Sequence, residues 1–115
     1  MALNKFAILG SQDRPSKSVD VPEWGGTVNI ATMSGAERDA FESDVCGGDG
    51  KVRTQNIRAK LLVRCIVDEA GGRVFTDADA DELGTKSAAA LDRLFDVARK
   101  LNGLSKQDVE ELAKN

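Results

Sequence analysis

Apolar and polar residues alternate singly through the first third of this chain and recur every three to four residues through the rest. In residues 17–33, Val19 and Val21 alternate with Ser18 and Asp20. Val28, Ile30 and Thr32 alternate with Asn29, Ala31 and Met33. That is the period of strands with one buried face, and it predicts a β-hairpin. Between the two runs lies Pro22-Glu23-Trp24-Gly25-Gly26, a tight turn around the chain's single tryptophan. A lone hairpin is marginal in water, so this one must pack on something. Residues 1–16 ahead of it read as a flexible arm. Pro15 prevents helix at its end, and residues 6–9 form a short strand or a hydrophobic anchor.

Helical periods follow. Ser34 with Glu37 forms a capping box that opens a helix over about 35–43, whose apolar side is Ala36, Ala40 and Phe41. A helix over about 55–70 ends at Gly71-Gly72, the usual place for a left-handed cap. Ala59, Leu62, Val63, Ile66, Val67 and Ala70 make its broad apolar stripe; Ile57, Leu61 and Cys65 make a second. Such a helix is either the centre of the domain or meets another molecule with its second stripe. Thr76 with Asp79 opens a short helix over about 77–83, which Gly84 breaks. Leu91, Leu94, Phe95, Ala98 and Leu101 mark a helix over about 86–102, with Asp96 and Lys100 as an exposed pair. Ser105 with Asp108 caps a last helix over about 106–113, held only by Val109 and Leu112. The predicted fold is α+β and mainly α: an N-terminal hairpin in a single domain over 17–115, followed by four to five helices.

Length fits one domain with one core. Aromatics are only 4%, so that core is built from Val, Ile, Leu and Ala. The net charge is −3 with no dense basic patch, which gives phosphate-driven nucleic-acid binding little support. Arg53, Arg58, Lys60 and Arg64 are the best residues for the rival reading of a nucleic-acid-binding regulator. No run approaches a membrane span or a secretory signal, so the expected place is the cytoplasm, with free thiols. The chain has no histidine, the commonest general base near neutral pH and the commonest metal ligand.

The remaining site patterns are weak. Asp77-Ala78-Asp79-Ala80-Asp81 begins like an EF-hand loop, but Glu82 stands where glycine is needed and Ala88 where the closing glutamate is needed. An acidic first helical turn explains it. Gly47-Gly48-Asp49-Gly50-Lys51 lacks the first glycine and the hydroxyl residue of a phosphate loop. Cys46, beside Glu42 and Asp44, has no histidine partner and no cationic helix start, and Cys65 sits at an apolar helical position. No catalytic, cofactor or metal site is expected. Trp24 is a local core anchor or a contact for another protein. The residues singled out for protein interaction are Trp24, Ile57, Leu61, Cys65, Val109 and Leu112.

The order of motifs resembles the tail assembly chaperones of long-tailed, non-contractile (siphovirus-type) bacteriophages. The residues that carry it are Val21-Pro22-Glu23-Trp24-Gly25, then Met33-Ser34-Gly35-Ala36-Glu37-Arg38-Asp39-Ala40-Phe41, then Asn56-Ile57-Arg58-Ala59-Lys60-Leu61-Leu62. Asp68-Glu69-Ala70-Gly71-Gly72-Arg73-Val74-Phe75, Leu83-Gly84-Thr85-Lys86-Ser87, Leu94-Phe95 and Leu101-Asn102-Gly103 complete it, across roughly residues 17–103. The resemblance implies a non-enzymatic protein that binds the tape measure protein, keeps it soluble and helps recruit tail tube subunits. It implies a homo-oligomer, a longer frameshifted form as a further partner, action in the host cytoplasm and absence from the mature virion. It implies no cofactor, no nucleic acid and no membrane. A structural head–tail or tail-completion protein is the alternative.

Overall fold

The structure is a computed structural model that describes residues 2–46 and 56–105. Strands β1 (Ser16–Val21) and β2 (Gly26–Ala31) pair antiparallel, with Val19 opposite Val28 and Val21 opposite Gly26. A 3-10 turn, Pro22–Trp24, joins them. Pro22 supplies the first φ angle, and Gly25 closes the turn at φ 74 with its N–H on the Pro22 carbonyl at 3.1 Å. That left-handed position is open to glycine at little cost. Residues in register share a face, so Val19, Val21, Val28 and Ile30 line the inner side of the sheet.

The expected helix over 55–70 is shorter. Helix α3 runs Ile57–Cys65, and Ile66–Val67 becomes strand β3. These two β-branched residues suit extended backbone, and they pair with Ile30 and Asn29 on the free edge of β2. Gly71 is not a helix cap. It sits at φ 89 inside a turn in which the Asp68 carboxylate accepts the N–H groups of Ala70 and Gly72, both at 2.9 Å. The chain then returns, with Arg73 bridging Val67 and the Val74 N–H on the Ile66 carbonyl.

Helix α2 (Gly35–Cys46) is longer than expected. Its Ser34 hydroxyl accepts the Glu37 N–H at 3.2 Å, and the Glu37 carboxylate meets the same hydroxyl rather than the Ser34 backbone. Phe41 and Val45 are buried, and Ala36 and Ala40 face solvent. The Thr76–Asp79 capping box forms and opens a 3-10 turn, Asp77–Asp79, that runs into α4 (Ala80–Leu83). Helix α5 (Ala88–Leu101) buries Leu91, Leu94 and Ala98, with Phe95 and Leu101 packed at the margin. It ends in a Schellman motif: Gly103 at φ 71, the Gly103 N–H on the Lys100 carbonyl and the Leu104 N–H on the Arg99 carbonyl.

One further helix, α1 (Lys5–Gly10), forms where the sequence suggested a strand or an anchor. Asn4 caps its start by accepting the Ala7 N–H, and the Ser11 hydroxyl donates to the Ile8 carbonyl at its end. None of its residues is buried. The protein is thus α+β and mainly α, with an N-terminal antiparallel sheet and five helices among the described residues. The centre of the molecule is α3. Its Ala59, Leu61, Leu62, Val63, Arg64 and Cys65 are all buried, with α2, α4 and α5 packed against the helix and Val19, Val21 and Ile30 of the hairpin in the same core. The loop over 47–51 and the expected helix over 106–113 lie outside the described residues.

Candidate protein-docking site

Helix α3 cannot present its second stripe to a partner in this fold. Leu61 and Cys65 are completely enclosed, and Ile57 is half-buried against the core. A helix packed on every side reads as doubly apolar in sequence, whether its partners lie in the same chain or another. Burial pushes the Cys65 thiol up to about 12, so its thiolate form is disfavoured near neutral pH and the side chain serves as packing. The side chain of Asn102 explains why the end of α5 sits against this thiol. Its Oδ1 accepts the Met33 N–H at 2.8 Å, while its Nδ2 donates to the Ala98 carbonyl and meets Cys65 Sγ at 3.5 Å. The sequence marked Asn102 only as a helix end.

The charged residues around α3 hold elements together. Arg64 is enclosed: Nη1 donates to the Lys60 carbonyl at 2.7 Å, Nη2 faces Asp44 at 3.6 Å and Asp77 at 3.4 Å, and the guanidinium lies 5.9 Å from the Phe41 ring centre. Arg58 pairs with Asp92. Arg53, the fourth basic residue of that group, lies outside the described residues. Arg64 therefore cannot serve a nucleic-acid face. The Asp77, Asp79 and Asp81 carboxylates point to separate partners: Arg73, Thr76 and Asn56. The nearby guanidinium of Arg73 holds Asp77 below the usual carboxylate range. No cluster of potential metal ligands occurs among the described residues.

The open apolar surface is elsewhere. Strand β3 is two residues long, so among the described residues no strand covers β2 on that side over 26–28. The result is a groove of about 380 Å³ whose walls are Trp24, Val28, Val74 and Phe75 and whose charged rim is Asp68 and Glu69. Trp24 is 36% exposed and Val74 53%. Both walls are braced. Glu23, beside Trp24, forms a two-pronged pair with Arg93 of α5 at 2.8 and 2.9 Å. That pairing also keeps the Glu23 carboxyl below its ordinary range. On the other wall, Arg73 donates from Nε and Nη2 to the Val63 carbonyl at 3.1 and 2.8 Å, and from Nη2 to Asp77 at 2.7 Å. This satisfies a carbonyl of the last turn of α3 and fixes the segment carrying Val74 and Phe75. Of the residues singled out from sequence, the structure places Trp24 in this groove; Val109 and Leu112 lie outside the described residues. Val74 and Phe75 were missed because a short extended run carries no periodicity.

A small α+β protein emerges, with its ion pairs turned to structural use and a braced apolar groove open at its surface. The chain belongs to the phage tail assembly chaperone family, which it matches over residues 12–115. Among solved structures it is similar to the tail assembly chaperone of bacteriophage HK97, with a TM-score of 0.60 and 23% identity over 76% of this chain and 85% of that one. At that identity the likeness concerns the fold. A comparison with curated proteins gives no match. No helix among the described residues is long and apolar enough to cross a membrane.

Proposed function

We propose that this chain is a non-enzymatic chaperone that binds the tape measure protein of its phage, keeps it soluble and helps recruit tail tube subunits. Family membership supports the chaperone role, and the braced apolar groove at Trp24 carries the contact. An apolar segment of a client helix fits a groove with aromatic and branched walls, in the helix-in-groove mode. Such a groove holds apolar side chains out of water without reading a defined sequence, which suits a long client. The protein works as a homo-oligomer in the host cytoplasm, beside a longer frameshifted form, and leaves before the virion is complete.

Co-expression with the tape measure protein encoded in the same genome, followed by pull-down and light scattering, tests this reading. A soluble complex with many copies of this chain per client is the expected result. An insoluble client that captures none of the folded protein overturns it and favours a structural component of the tail.

A further inference from the structure

Helix α1 is anomalous in this fold. It has a cap at each end, yet it buries nothing, and Leu3, Phe6, Ile8 and Leu9 are 71, 83, 54 and 73% exposed. A helix of six residues is marginal in water without a partner for its apolar side. Exposed apolar clusters on soluble proteins mark interaction sites. The chain carries both halves of one contact: a short apolar helix without a groove and an apolar groove without a helix. Their charges are complementary. Lys5 is the only charged residue in 2–11, and the charged residues lining the groove, Asp68 and Glu69, are both acidic.

We infer that α1 docks in the Trp24–Val74–Phe75 groove of a second copy of this chain, with Lys5 set against the partner's acidic rim. The arm leaves β1 at Ser16, opposite Ala31, and its residues 11–14 line a separate cavity that shares Asp68 and Glu69 with the groove. No residue of α1 lines the chain's own groove. The contact is head-to-tail, since each copy offers an arm at one place and a groove at another. Such contacts build open arrays or rings rather than closed two-fold dimers. Resting on the chaperone reading, one further step follows: a client helix competes with the arm, so assembly guards the groove until the client displaces it.

The test needs only this chain. Multi-angle light scattering over a concentration series compares wild type with two variants: one lacking residues 1–11, and Val74→Arg, which fills the groove. Circular dichroism confirms that both fold, as expected from the exposure of residues 2–11 and of Val74. Each variant alone is expected to run as a single chain while wild type grows in mass with concentration. Mixed together, the two variants form a complex that stops at two chains, because one intact groove meets one intact arm. Lys5→Glu weakens wild-type association at low salt at least several-fold. Association of the arm-deleted protein equal to wild type overturns the inference, as does a mixture that stays monomeric. Wild type that is monomeric, with Trp24 emission shifting on arm deletion, also overturns it by placing the arm in the chain's own groove. Failure of client capture leaves these outcomes intact, so the two readings fail separately.

Discussion

Replacing Leu61 by alanine separates packing from docking on α3. Leu61 is 0% exposed and lies in the centre of the core, with Leu62, Cys65 and Leu94 in the same cluster. Truncating a leucine in such a site costs about 2–5 kcal/mol, made of lost transfer energy and the cavity left behind. A domain of this size has about 5–15 kcal/mol in total, so the variant loses a large part of its stability. At about 4 °C per kcal/mol, its midpoint falls by roughly 8–20 °C. Trp24→Ala is the matched control. Its ring is already 36% exposed, so the fold loses less, while the groove loses its largest wall. Urea unfolding followed by circular dichroism gives the stabilities, and pull-down of the client gives the binding. Expected are a large stability loss with binding retained for Leu61→Ala at low temperature, and the reverse for Trp24→Ala. A Leu61→Ala protein within about 1 kcal/mol of wild type that no longer binds would refute the reasoning, because it would put the second stripe of α3 at an interface.

Arg64→Met is expected to lie within about 1 kcal/mol of wild type or above it, since a buried cation repays its desolvation poorly and the partner carboxylates Asp44 and Asp77 stay hydrated; a loss of about 3–5 kcal/mol in urea unfolding would show the ion pairs to be essential. Gly84→Ala places a methyl group against the Asn56 side-chain amide, which must swing away and give up its bonds to the Ala80 carbonyl and Asp81, at about 0.5–1.5 kcal/mol in the same assay. The Glu23 carboxyl is held below its ordinary 4.5 by Arg93, so the pair contributes fully above 4.5 and is lost as pH falls below it through the lowered folded value. Trp24 fluorescence should therefore change below pH 4.5 in wild type and not in Glu23→Gln; identical acid titrations of the two would show that the pair does not brace the hairpin tip.

Local chemistry was legible in the chain. The hairpin turn follows from Pro22 and Gly25, the Thr76–Asp79 box from spacing, and the buried side of α5 from Leu91, Leu94 and Ala98 recurring at helical intervals. Each depends on residues within one or two turns of one another, so a single pass along the sequence finds them. The placement of Trp24 beside an open surface was legible only as one of two readings, because a tryptophan in a turn has the same sequence signature whether it faces the core or the solvent.

Tertiary structure decided what depends on partners distant in sequence. Ile66 and Val67 continue the helical pattern of α3, yet they become a strand because β2 offers an unpaired edge and their branched side chains favour extended backbone. Leu61 and Cys65 are enclosed rather than presented because α2, α4 and α5 pack against a helix whose pattern permits either fate. Arg64, Arg73 and Asn102 look like surface or cap residues in the sequence. Only the fold brings Asp44 and Asp77 to the first, the Val63 carbonyl to the second, and Met33 and Cys65 to the third. The sequence therefore determined the turns, caps and buried faces that short-range hydrogen bonding and periodicity set, while the end of α3 and the helix at Lys5–Gly10 were decided by the fold. The groove exists because β3 stops after two residues and the chain turns back at Gly71, a choice made by competition among long-range contacts that no local pattern records.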